Sequence, residues 1–170
     1  METKASANYL FNKGMMEFAN TNYEKSIEIL SEAADVDEGF KLTFVGRGSA
    51  YLQMDRLDEA RADFNHAIDL DPSYARAFHL RGLVEEKRGN AEQALLDFTR
   101  AIELDPEYGA AYHSRVTLMT QMGREAETED DVAMIQHLSS KNMAEYANEN
   151  NVWQSNHLAV EDAMETELNR

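Results

Sequence analysis

The octet AIDLDPSY, Ala67–Tyr74, returns as AIELDPEY, Ala101–Tyr108, after 34 residues. A phrase rewritten at a fixed period constrains the fold strongly. One supersecondary unit is being reused, and it must bury its apolar face on its own copy. The period runs well beyond the octet. Gly14, Gly48 and Gly82 share the 34-residue spacing, as do Ser26, Ala60 and Ala94, and Ala33, Ala67 and Ala101. Leu30, Phe64 and Phe98 form one large apolar column, and Leu10, Phe44, Phe78 and Tyr112 another. Three full units follow, 7–40, 41–74 and 75–108, and a degenerate fourth starts at Gly109. The array is expected to fill 1–122, leaving 123–170 as an acidic helical cap or tail.

Each unit reads as two helices. Phe44, Val45, Tyr51 and Leu52 fall on one helical stripe, and Leu57, Ala60, Phe64, Ala67 and Ile68 on a second. The polar turn Met54-Asp55-Arg56 separates them. Asp71-Pro72 is expected to end the second helix, because the residue before proline is pushed out of the α region. Gly48 and Ala60 are expected where the two helices cross, and Phe64 and Phe98 between neighbouring hairpins. Arg47, Arg81 and Arg115 recur at the period, and so do Asp63, Asp97 and Asp131. Counting along the chain predicts the pairs Arg47–Asp63, Arg81–Asp97 and Arg115–Asp131. The first unit breaks the ladder, with Lys13 opposite Ile29.

The residues Phe44, Gly48, Tyr51, Ala60, Phe64, Ala67 and Pro72, with Phe78, Gly82, Ala94, Phe98, Ala101 and Pro106, resemble the tetratricopeptide repeat family. The resemblance covers Ala7 to Gln121. It implies an all-α fold, a right-handed superhelical array of helix hairpins closed by C-terminal capping helices. The first unit departs from the pattern at Ser26 and at Glu38, which stands in the proline position. The fourth departs at Val116 and Thr128, so its second helix is expected to pack differently. Thr128–Asp131 reads as a capping box opening that helix, with Val132, Ile135, Leu138 and Met143 as its stripe. Trp153, Val160, Met164 and Leu168 form a last stripe, read as a cap on the array or as a homodimer contact.

Composition narrows the function. The chain has no cysteine, which removes disulfides, thiol nucleophiles and thiolate zinc sites. Its net charge of −16 makes nucleic acid and anionic membrane poor partners. Residues 122–170 hold 3 Lys/Arg against 11 Asp/Glu, a net of −8. METKASANYL is not a secretion signal, and no apolar run is long enough to span a bilayer, so the expected location is cytoplasmic. Glycine-rich phosphate loops, HExxH and GxSxG are all absent. Of five histidines only His79 and His113 are repeat-equivalent, which is too few for a metal site. No enzyme activity and no cofactor are expected.

The family resemblance implies a concave groove lined by the first helix of each unit, holding a protein or peptide partner. Matched by position, that groove is lined by Asn8, Phe11, Met15 and Phe18, then Leu42, Val45, Ser49, Leu52 and Gln53. It continues with Arg76, His79, Leu83, Glu86 and Lys87, then Ala110, His113, Thr117 and Gln121. Its amino-terminal half is apolar and its carboxy-terminal half carries the cations. A ligand with aliphatic side chains and a carboxylate near Arg76 and Lys87 fits that direction. Equally, Phe11, Met15 and Phe18 fit coverage by the chain itself or by a second subunit. The family's receptors for chaperone tails clamp a terminal carboxylate with lysines, asparagines and an arginine. Here those positions are Phe11, Met15, Gly46, Arg76 and Leu80, and only Arg76 suits. The expected function is non-catalytic protein–protein recognition, as an adaptor or scaffold. The alternatives are a self-assembling structural protein and a secretion-type chaperone.

Overall fold

The computed structural model describes residues 6–142. They form helices α1 Ala7–Ala19, α2 Tyr23–Val36, α3 Lys41–Gln53, α4 Leu57–Leu70, α5 Ala75–Lys87, α6 Ala91–Leu104 and α7 Gly109–Gln121. A 3₁₀ turn at Glu125–Glu127 and a helix over 129–142, here α8, complete them. There is no strand among the described residues. The odd-numbered helices from α1 to α7 start at Ala7, Lys41, Ala75 and Gly109, so the sequence period is also the structural one.

Each of the first three hairpins is closed by a glycine meeting a large side chain. A β-carbon added at Gly82 would lie 2.5 Å from the Phe98 ring, one at Gly48 2.8 Å from Phe64, and one at Gly14 2.6 Å from Leu30. The hairpins then stack through mixed cores. Leu52, Ala60 and Phe64 of the second unit bury Val84 of the third, and Ala94, Leu95 and Phe98 of the third bury Leu118 of the fourth. Phe64 and Phe98 thus serve both the crossing inside a hairpin and the contact to the next.

The turns inside the hairpins share one device. Thr21, Asp55, Gly89 and Gly123 all have positive φ. The next residue donates its N–H back to a carbonyl five residues earlier, Glu17, Tyr51, Glu85 or Met119. This is a Schellman-type end, which satisfies a carbonyl otherwise left without a partner. Asp71 leaves the α region and ends α4 as expected before proline, but proline is not what the stops between hairpins share. Asp37, Asp71 and Asp105 have nearly the same extended backbone, φ −147°, −145° and −139°. Asp37 is followed by Glu38, not proline. What the three share is a carboxylate accepting the N–H two residues on, from Gly39, Ser73 and Glu107 at 2.9, 3.0 and 3.1 Å. The aspartate makes the turn.

The predicted ion-pair ladder is present, and each rung has a third member. Arg47 holds Asp63 with two bonds of 2.9 and 2.8 Å, and its other terminal nitrogen donates to Ser31 at 3.1 Å. Arg81 does the same to Asp97 and Asn65, and Arg115 to Asp131 and Thr99. Each guanidinium therefore ties three helices from two units.

The Arg115–Asp131 rung keeps α8 in register with α4 and α6, but α8 starts four residues late. Val132 stands where Phe64 and Phe98 stand in earlier units, and it is 37% exposed where they are fully buried. Val116 replaces the glycine and has a branched β-carbon, so no aromatic ring can seat against it. The capping box at Thr128–Asp131 is replaced by another arrangement. The Thr128 hydroxyl donates to the Glu125 carbonyl at 2.9 Å, and the Asp131 carboxylate is taken by Arg115. Of the expected α8 stripe, Leu138 is buried and Ile135 is half-buried. Met143, Trp153, Val160, Met164 and Leu168 lie outside the described residues.

Candidate peptide groove

The odd-numbered helices touch across units, α1 to α3, α3 to α5 and α5 to α7, whereas α2, α4 and α6 do not touch one another. Close contact on one side and separation on the other make the stack curve, with the odd-numbered helices on the inner face. That face opens into a concavity of about 540 Å³ lined by Leu52, Gln53, Leu83, Glu86, Lys87 and Gln121. All six belong to the position-matched groove residues. They come from α3, α5 and α7, so the concavity spans three units.

The remaining groove candidates differ in exposure. Asn8, Arg76, His113 and Thr117 are exposed, as is Ala110. Phe11, Met15, Phe18, Leu42 and Ser49 are half-buried. Phe11 packs edge-on against Phe40, and Phe18 edge-on against Tyr23, each with ring centroids 5.4 Å apart. The Met15 sulfur rests on the backbone of Gly46. The Ser49 hydroxyl donates to the Val45 carbonyl at 2.8 Å. The apolar end is therefore partly satisfied by its own repeat.

Val45 is buried in a core cluster with Ala34, Phe44, Ala67 and Ala77. His79 is buried too, with Nδ1 3.0 Å from the Tyr108 hydroxyl and Nε2 2.9 Å from the Ser114 hydroxyl. Burial, with the Arg76 charge adding to it, pushes the imidazole down to about 4, so it is neutral at physiological pH. Its two ring nitrogens join α5 to α7 and to the loop before it. Tyr108 and Ser114 carry no period with His79, and nothing in the sequence pointed to them.

The groove electrostatics also differ from the sequence pattern. The Lys87 ammonium lies 2.6 Å from the Asp55 carboxylate, across from α5 to the turn after α3. Arg76 lines a separate recess with Tyr74, Asp105 and Tyr108. The two cations expected to share one carboxylate ligand thus face different surroundings. Among the described residues, no group of three or more histidine, aspartate or glutamate side chains could hold a metal ion. No described helix is long and apolar enough to cross a membrane.

Residues 45–109 match the family model of the tetratricopeptide repeat. Among solved structures, the first such domain of Spaghetti (RPAP3) bound to the HSP90 peptide SRMEEVD is 26% identical. Its TM-score is 0.67, and 71% of this chain and 96% of that one are covered. The second domain of human RPAP3, in complex with the HSP70 peptide SGPTIEEVD, is 29% identical, with a TM-score of 0.63 and 66% and 93% covered. MamA is similar over 81% of both chains with a TM-score of 0.74, but at 22% identity that likeness speaks for the fold alone. No curated protein matches the chain.

Proposed function

We propose that the chain, whose residues 45–109 match the tetratricopeptide repeat model, is a non-catalytic protein-interaction module, an adaptor or scaffold that takes a peptide segment in its inner groove. The observation that carries this is the concavity between α3, α5 and α7. It has an apolar floor at Leu52 and Leu83 and amide side chains at Gln53 and Gln121. Such a lining suits an extended or helical segment, whose side chains seek apolar contact and whose polar groups seek donors and acceptors. The two RPAP3 domains, both bound to peptides, support the reading. A ligand carboxylate rests on Arg76 alone once Lys87 is matched by Asp55. The decisive experiment is a cellulose-bound array of random 12-residue peptides probed with the full chain. Gln121→Trp fills the concavity from an exposed position without touching the core. Loss of array binding in that variant is expected, and unchanged binding would place the ligand elsewhere.

One observation favours a second reading, self-assembly. Tyr9 and Met16 on α1 are 60% and 68% exposed. Their repeat equivalents, Thr43, Ala77 and Ala111, and Ala50, Val84 and Leu118, are all buried under the preceding unit. The outer edge of α1 is thus a stacking face with nothing stacked on it among the described residues.

A further inference from the structure

We propose that the concavity between α3, α5 and α7 recognises a cationic side chain, a lysine or arginine on a segment that also presents an aliphatic residue, with Glu86 as the counter-charge. The inference rests on the groove reading above and names the chemistry of its ligand. Two charged residues line the concavity, Glu86 and Lys87. Lys87 already pairs with Asp55 at 2.6 Å. The Glu86 carboxylate has no ion pair or hydrogen bond among the described residues. It is half-buried, and that burial holds it above the usual carboxylate range. A half-buried carboxylate without a partner costs free energy that an incoming cation recovers.

The repeat itself does not ask for a charge there. The equivalents of Glu86 in the other units are Phe18, Leu52 and Thr120, none of them ionisable. Leu52 and Leu83 beside it suit an aliphatic neighbour of the bound cation. The net charge of −16 draws a basic segment in and repels an acidic one. Residues 143–170, with six Asp/Glu against one Arg, have the opposite charge to such a ligand.

The test uses the same random 12-residue array at physiological salt, probed with the full chain, Glu86→Gln and Glu28→Gln. Glu28 is exposed on α2, away from the concavity, so its variant makes the same change in net charge. The expected result is a binder set enriched in Lys and Arg next to Leu, Ile or Val. Titration of the strongest binders in solution should weaken about tenfold in Glu86→Gln and stay unchanged in Glu28→Gln. Binders without basic enrichment, or equal losses in both variants, overturn this inference. The groove reading then stands only if Gln121→Trp still abolishes binding. An array with no peptide above background overturns both.

Discussion

Thr21, Asp55, Gly89 and Gly123 occupy the same turn position with φ of 61°, 55°, 80° and 73°. Glycine reaches that region freely, but a β-branched residue does so at a cost of about 1–2 kcal/mol. Thr21→Gly is therefore expected to stabilise the chain by about 1 kcal/mol, seen as a higher urea midpoint with an unchanged slope. Asp55→Gly would also lose the bond to Lys87 and gains less. The buried hydroxyls of Ser26 and Thr43 have no partner among the described residues, and alanine fills the equivalent positions of the second and third units for Ser26 and of the third and fourth for Thr43. Ser26→Ala should add about 1 kcal/mol in the same assay. His79 gives a pH signature. Its folded-state value, about 4, lies below the ordinary 6.5, so between those values the unfolded chain binds more protons. Stability must then fall as pH drops, by about 1–2 kcal/mol from pH 7 to pH 5. In His79→Gln that part of the slope should vanish. The turn at Met54-Asp55-Arg56 was legible in the sequence, but the shared left-handed position was not, because threonine and aspartate hold it as well as glycine. His79 was read as a groove residue because position alone cannot tell which equivalents are covered by neighbouring rings.

At the scale of helices, the glycine column and the aromatic column are one device. Gly82→Ala places a β-carbon within 2.5–2.7 Å of Phe98 and should cost about 1–3 kcal/mol in thermal or urea melts. The double change Gly82→Ala with Phe98→Leu should recover part of that, since the smaller side chain vacates the clash. The periods of these columns were plain in the sequence, as were the arginine–aspartate pairs sixteen residues apart. The third member of each rung was not. Ser31, Asn65 and Thr99 are also 34 apart, but they share only a hydrogen-bonding oxygen, so no residue identity marks the column. The start of α8 after Thr128 was legible, but the bonding of its first turn was misread for a related reason. A threonine followed by acids fits a capping box, but Arg115 competes for the same Asp131 and supplies two charge-assisted bonds.

For the whole molecule, the inner groove and the open edge of α1 predict different outcomes. If the edge is an assembly surface, full-length protein is a dimer or larger by light scattering, and Met16→Lys returns it to a monomer. If the groove alone is functional, the chain is monomeric in both forms. The peptide SRMEEVD should show no saturable binding up to about 100 µM by fluorescence anisotropy, a limit weaker than about −5.5 kcal/mol. The basis is that Phe11, Met15, Gly46 and Leu80 replace the polar residues a terminal carboxylate requires. Saturable binding would show that Arg76 suffices. The array was legible because repetition multiplies a weak signal. Groove chemistry was less so, because a charge such as Lys87 can be consumed by a residue 32 positions away that no period connects to it.

The backbones of α2, α4 and α6 do not approach one another, yet each neighbouring pair is bridged by a guanidinium, Ser31 to Arg47 to Asp63 and Asn65 to Arg81 to Asp97. A planar, rigid fork of fixed width therefore acts as a spacer, and the same spacer recurs at every joint. The arc of the stack is gauged by it. An array lengthened with further copies of residues 75–108 should keep its radius of curvature. Lysine in place of the arginines, a point charge on a pliant stem that reaches one partner at a time, should leave the arc free to open and close.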